Sequence, residues 1–218
     1  MNFQNIDLNW TGHAGFIIKA EGKIIYIDPY QINSQAIIPA DIILITHSHY
    51  DHCSLEDISK IAKDNTTIIG PADIQSKISR IQKKINLKVI EPGNSINIDG
   101  INIGAIPSYN INKQFHPKNE YWNGYAIKIN NLVIYHAGDT DLIPEMSKLT
   151  GKVTIALLPI GGNYTMNSQE AAKAASIIKP QIAIPMHYGN IIGSSADAQN
   201  FSSLCEQQGI NSQILDKE

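Results

Sequence analysis

The stretch Thr46-His47-Ser48-His49-Tyr50-Asp51-His52 places three imidazoles and a carboxylate within six consecutive positions, 47–52. Imidazole nitrogen and carboxylate oxygen are the donors that borderline divalent cations prefer. Side-chain direction alternates along an extended segment, so His47, His49 and Asp51 are expected on one face. A turn after Asp51 would then bring His52 to the same cavity from another direction. That spacing suits two adjacent cations better than one. The motif follows directly on the apolar run Ile42-Ile43-Leu44-Ile45, and packing gives no reason for a buried strand to end in such groups. The bland alternative is a polar turn in which histidines happen to cluster.

Short strands must position these groups. Residues 5–10, 14–20, 23–28 and 41–45 read as strands, with Asp28-Pro29 ending the third because proline stops a ladder. Ser54, with Asp57 three residues on, caps a helix expected to run to about Lys63. A strand over 66–69 leads to a helix over 72–83, with Ile74, Ile78 and Ile81 on one face and Lys77, Arg80 and Lys84 on a solvated one. Strands over 87–91, 95–98 and 100–106 precede a long aperiodic loop, Pro107 to Tyr121. Loops of that length usually have a function. A hairpin over 123–130 and 132–136 follows. The remainder alternates: helix 142–149, strand 153–158, helix 168–178, strand 181–184, helix 195–208 and strand 212–215. Strand-rich beginnings and βα alternation at the end predict an α/β fold, a four-layer αββα sandwich formed by one domain over 1–218.

Further candidate donors sit where strands end. Asp139 follows the strand closing at Tyr135-His136 and is flanked by Gly138 and Thr140, so it is either a bridging carboxylate or part of an Asx-type turn. His187 follows Ile184-Pro185-Met186 and reads as a ligand. His116, inside the long loop, is open to three roles: ligand, substrate contact or exposed side chain. His13 and His136 suit positions behind the ligands, orienting them through the second ring nitrogen.

Composition narrows the function classes. In 218 residues, 43% are hydrophobic and 17% charged, which is globular rather than disordered. A net charge of -3 and a single arginine, Arg80, supply no basic field for nucleic acid. Cys53 and Cys205 form no CxxC pair and are expected as small buried residues compatible with a reducing compartment. Neither a secretory leader nor a run of about 18 apolar residues is visible. A soluble, cytoplasmic protein acting on a small molecule is expected, with no nucleic-acid or membrane partner and homo-oligomer formation left open.

The string His47-Ser48-His49-Tyr50-Asp51-His52 resembles the HxHxDH motif of the metallo-β-lactamase superfamily. GHAGF, the IDP turn, YHAGDT, LLPIGGNYTM and IPMHYG occur in the order that family shows, so the resemblance spans nearly the whole chain. In detail the chain looks like the small metal-dependent hydrolases related to L-ascorbate-6-phosphate lactonase, and more distantly like N-acylphosphatidylethanolamine phospholipase D. The resemblance implies two divalent cations, Zn or Mn. His47 and His49 would hold the first, Asp51, His52 and His187 the second, and Asp139 would bridge. Many members carry a third histidine for the first cation where this chain has Asn110; His116, six residues on, is the candidate replacement. The implied chemistry is attack of metal-bound hydroxide on a small ester or lactone, with or without a phosphate group. Asp51 would orient the nucleophile, and Tyr109, Lys113, Tyr188 and His116 are candidates for the oxyanion or for an anionic substrate. A phosphodiesterase and a non-catalytic metal-binding protein are the competing readings.

Overall fold

Ile6, Leu8 and Trp10 are buried while Asp7 and Asn9 stay partly exposed, the alternation expected of a strand covered on one face. Nine positions on, Gly15–Ala20 is buried almost throughout, as an interior strand should be. The computed structural model describes residues 1–33 and 37–218. The chain divides into two units: Met1–Glu91 with Leu215–Glu218, and Pro92–Ile214.

Unit 1 is a seven-stranded mixed sheet whose strands lie in sequence order. Its strands are β1 (Asn2–Phe3), β2 (Ile6–Gly12), β3 (Gly15–Ala20), β4 (Lys23–Ile27), β5 (Ala40–Leu44), β6 (Ala62–Gly70) and β7 (Asn86–Val89). Strands β1 to β4 form an antiparallel meander, and β4 to β7 run parallel. Helix α1 (Leu55–Ile61) starts at Ser54, whose side chain accepts from the Asp57 N–H as expected, and ends where β6 begins. Ile43, Ile45, Ile58, Ile61, Ile68 and Ile74 belong to one buried cluster. The helix expected over 72–83 is a 3₁₀ turn, Ala72–Ile74, followed by a single turn, α2 (Gln75–Ile78). Ile74, Ile78 and Ile81 are buried nonetheless. Tight turns with Ser79, Arg80 and Ile81 donating backward bring the third isoleucine inward, so burial spacing held where helix length did not.

Unit 2 is a six-stranded sheet in the order β13-β12-β11-β10-β9-β8. The strands are β8 (Ser95–Ile98), β9 (Ile101–Pro107), β10 (Asn123–Ile129), β11 (Leu132–His136), β12 (Ile155–Pro159) and β13 (Ile182–Met186). The first four are antiparallel and the last two join in parallel. Pro185 lies inside β13, which the edge position of that strand tolerates. Helix α3 (Ser168–Ile178) carries a full capping box at Asn167 and Glu170 and buries Ala171, Ala174, Ala175 and Ile178. Helix α4 (Ser195–Gln207) packs on α3. The segment expected as a helix over 142–149 is a 3₁₀ helix, Pro144–Leu149. The strand expected over 212–215 is reduced to one bridge, Ala183 to Ser212. Each unit thus contributes a mixed sheet and its helices, and the expected α/β class holds. Among the described residues no helix is long and apolar enough to cross a membrane.

Candidate metal-binding site

In unit 1 the register Ile27 to Leu44 puts the ends of β4 and β5 side by side, which delivers Asp28 to the root of the histidine motif. Asp28 is fully buried and takes a left-handed φ of 43°, a conformation Asp tolerates better than most residues. Its Oδ1 accepts from the Thr46 N–H (2.8 Å), and its Oδ2 accepts from the Thr46 hydroxyl (2.6 Å) and pairs with His52 Nδ1 (2.8 Å). The carboxylate therefore assigns the His52 proton to Nδ1 and the lone pair to Nε2, the tautomer a metal ligand needs.

The motif itself is not extended. The His52 and Cys53 N–H groups both donate to the His49 carbonyl, at 3.1 and 2.8 Å, so the chain already turns at His49. A turn, not strand alternation, gathers the donors. His47 Nε2 lies 3.0 Å from His49 Nδ1, and the His47 and His52 rings tilt together at 4.1 Å between centroids. His13, Asp51 and His52 each offer an atom within 4.8 Å of the others. His13 Nε2 is 2.9 Å from Asp51 Oδ2, and His52 Nε2 is 3.7 Å from the same oxygen. His13, assigned from sequence to a place behind the ligands, thus reaches the Asp51 carboxylate directly. Lys77 departs from the expected solvated face: it is half-buried, and its ammonium donates to the Ser48 carbonyl in the middle of the motif. Cys53 is buried, and burial pushes its thiol up to about 12, so it is an inert apolar residue here.

In unit 2 the pairings of Pro107 with Asn123, Tyr125 with His136 and Pro159 with Met186 bring the ends of β9, β11, β12 and β13 to one edge. Asp139 and His187 leave from that edge. Gly138 has φ 66°, and a Cβ there would stand 2.8 Å from the Asn123 carbonyl oxygen, so glycine is required where Asp139 turns inward. The Ser108 hydroxyl donates to the Asp139 carbonyl (3.1 Å), and His136 Nδ1 accepts from the Gly138 N–H (3.2 Å). Asp139 Oδ2 then stands 3.0 Å from His187 Nε2 and 3.3 Å from His116 Nε2, all three side chains buried.

His116 is therefore not an exposed loop residue. Asn110 Oδ1 accepts from the His116 N–H (3.0 Å) and lies 3.1 Å from its Nδ1, while the Tyr164 carbonyl lies 3.2 Å from the same nitrogen. Two carbonyl acceptors assign the proton to Nδ1 and the lone pair to Nε2, on the side of Asp139. Asn110, expected from the sequence resemblance to stand where a further histidine would fall, is the residue that holds His116. Asp141, two residues beyond Asp139, went unnoticed in the sequence. It accepts from Asn110 Nδ2 (3.1 Å), from the Ile111 N–H (2.9 Å) and from the Lys113 ammonium (2.5 Å), closing the loop. Lys113 also donates to the Thr165 carbonyl (2.7 Å), so its charge is spent on the loop. Tyr109 donates its hydroxyl to Glu145 (2.9 Å), and burial together with that carboxylate pushes the phenol pKa up against the opposing pull of Lys118. Tyr188 is buried.

Both donor sets fit divalent cations. Donors about 2.0–2.2 Å from a tetrahedral cation stand roughly 3.4 Å apart, and the 3.0 and 3.3 Å separations around Asp139 Oδ2 are of that size. Nitrogen and carboxylate donors together suit borderline divalent cations.

The sequence matches the family described as the beta-lactamase superfamily domain over residues 7–187. It is 35% identical over 210 residues to a metal-dependent hydrolase of Pyrococcus horikoshii, covering 91% of this chain and 92% of that one. The crystal structure of a protein from Parabacteroides distasonis superposes with a TM-score of 0.86 at 31% identity, over 98% of this chain and 94% of the other. Igni18, a metallo hydrolase from the archaeon Ignicoccus hospitalis, gives a TM-score of 0.81 at 25% identity, over 97% and 95% of the two chains.

Proposed function

Because the chain belongs to the metallo-β-lactamase superfamily and is a metal-dependent hydrolase, we propose that it cleaves a small ester or lactone in the cytoplasm, the lactone of a phosphorylated sugar being one form of that substrate. In this reading His47, His49 and His116 would hold one divalent cation, Asp51, His52 and His187 would hold a second, and Asp139 would contribute to both. Such cations, zinc or manganese, supply a Lewis acid for the electrophilic oxygen and bring the pKa of water near neutrality. The chain's own residues do the rest. Asp28 and Asn110 hold His52 and His116 in the ligand tautomer. Asp51, held by His13, orients the nucleophile and receives its proton.

The observation that carries this reading is the convergence of His116 and His187 on one oxygen of Asp139. Elemental analysis of the purified protein, paired with turnover of chromogenic esters, lactones and phosphodiesters, tests it. Two equivalents of metal and ester or lactone turnover are expected, both lost in Asp139→Asn. Turnover of phosphodiesters alone would replace the ester reading, and a metal-replete protein inert toward all three would leave a binding protein.

A further inference from the structure

Unit 2 contains a cleft of about 490 Å³ that the metal-binding reading does not use. Its volume falls in the range of small-molecule sites, and its walls are the rings of Pro92, Pro107, Tyr109, Tyr121 and Trp122. Lys118 is the one charged residue lining it. That ammonium lies 4.4 Å above the Tyr109 ring and 3.2 Å from a Glu145 oxygen, so its charge is already matched. A phosphate entering here would have to displace a carboxylate. An uncharged ring would meet mainly ring faces and edges, the surface that aromatic groups stack on best, with Ser108 and Asn119 as the uncharged polar lining. Tyr121, 63% exposed, offers such a face.

Two lining residues also touch the groups assigned to the cations. The Trp122 ring stands 5.6 Å from that of His116, nearly edge-on, and Ser108 donates to the Asp139 carbonyl. We propose that this cleft binds the non-reacting part of the substrate, and that this part is an uncharged aromatic ring rather than a phosphorylated sugar. The substrate half of the proposal rests on the hydrolase reading; the binding half does not.

Calorimetry on the metal-free protein separates the two. Acetanilide, an uncharged aryl amide, is expected to bind one to one, and glucose 6-phosphate not at all. Tyr121→Ser, a change at an exposed side chain that spares the core, is expected to weaken acetanilide binding roughly two- to tenfold, the range of one aromatic contact. On the metal-replete enzyme the same substitution is expected to lower the preference for phenyl acetate over methyl acetate by a similar factor, as a rise in KM. Absence of acetanilide binding, or binding that Tyr121→Ser leaves untouched, overturns the cleft assignment. Glucose 6-phosphate binding that Lys118→Met abolishes overturns it too, by making the cleft an anion site. Failure of all ester turnover would count instead against the hydrolase reading, since the metal-free titration does not depend on it.

Discussion

The two units collect donors in opposite ways. In unit 1 His47, His49, Asp51 and His52 come from one turn of chain, pinned at its root by a single buried carboxylate, Asp28. In unit 2 His116, Asp139 and His187 come from three separate stretches of chain, and the His116 ring is pinned through a relay, Asp141 to Asn110 to the ring, with the Tyr164 carbonyl on the same nitrogen. A contiguous turn concentrates its dependence on one hub. A relay spreads it over a loop, so single losses should cost less stability yet still misplace a ligand.

The largest effect should therefore come from Asp28→Ala. It takes the acceptor away from the buried Thr46 N–H, Thr46 hydroxyl and His52 Nδ1–H, at about 1–3 kcal/mol for each group left unsatisfied. Urea unfolding of the metal-free protein should show that loss, with metal content falling alongside. A variant as stable as the parent would end the idea of a hub. Asn110→Ala should sit lower, at about 1–3 kcal/mol for the lost hydrogen bonds, while cation affinity drops about 10–100-fold. Competitive chelator titration measures the second number. If Asn110→Ala costs stability but leaves affinity intact, the relay holds the loop and not the ligand. Lys77→Met, which removes the cation from the Ser48 carbonyl, should cost about 1 kcal/mol at this half-buried position, with Lys77→Arg recovering part of it. Metal affinity that follows the same order would make Lys77 a positioning residue of the motif turn.

The same contrast explains what the sequence made legible. A motif confined to six positions announces itself by residue type, and helix Ser168–Ile178 announces itself by Asn167, Glu170 and its alanine-rich face. The turn at His49 did not show, because a strand-like alternation and a tight turn give His47, His49 and Asp51 the same spacing. Lys77 looked solvated because it falls with Arg80 and Lys84 on a polar face, while its acceptor, the Ser48 carbonyl, lies 29 residues away and leaves no mark on local periodicity. Asn110 read as a missing ligand. Its part in fixing His116 depends on a loop closure, from the Asn110 N–H to the His116 carbonyl (2.7 Å), that no local pattern encodes. His187 and Asp139 stand out as donors at strand ends; their common edge follows from sheet register, which is a long-range property.

The smallest effects are at the surface, where Asp41 in unit 1 and Glu145 in unit 2 have lowered carboxyl pKa values. Burial raises the Asp41 value, but the Lys63 ammonium (2.6 Å) and the Ile24 N–H (2.8 Å) outweigh it. Burial likewise raises Glu145, and its own backbone, Tyr109 and Lys118 outweigh that. In both cases the unfolded chain binds the proton more readily than the folded one. The stabilisation is therefore complete above the unfolded value, about 3.9 for Asp and 4.3 for Glu, and is lost as pH falls through the lower folded value. Exposed pairs are worth about 0–1 kcal/mol, less in salt. Lys63→Met and Lys118→Met should each leave the urea midpoint nearly unchanged at pH 7. Each should also flatten its decline below about pH 4, and 1 M salt should erase the difference from the parent. If Lys118→Met instead shifts the midpoint at neutral pH as far as Asn110→Ala does, then the Tyr109-Glu145 pair beneath it belongs to the relay, and the division between a distributed loop and its surface has been drawn in the wrong place.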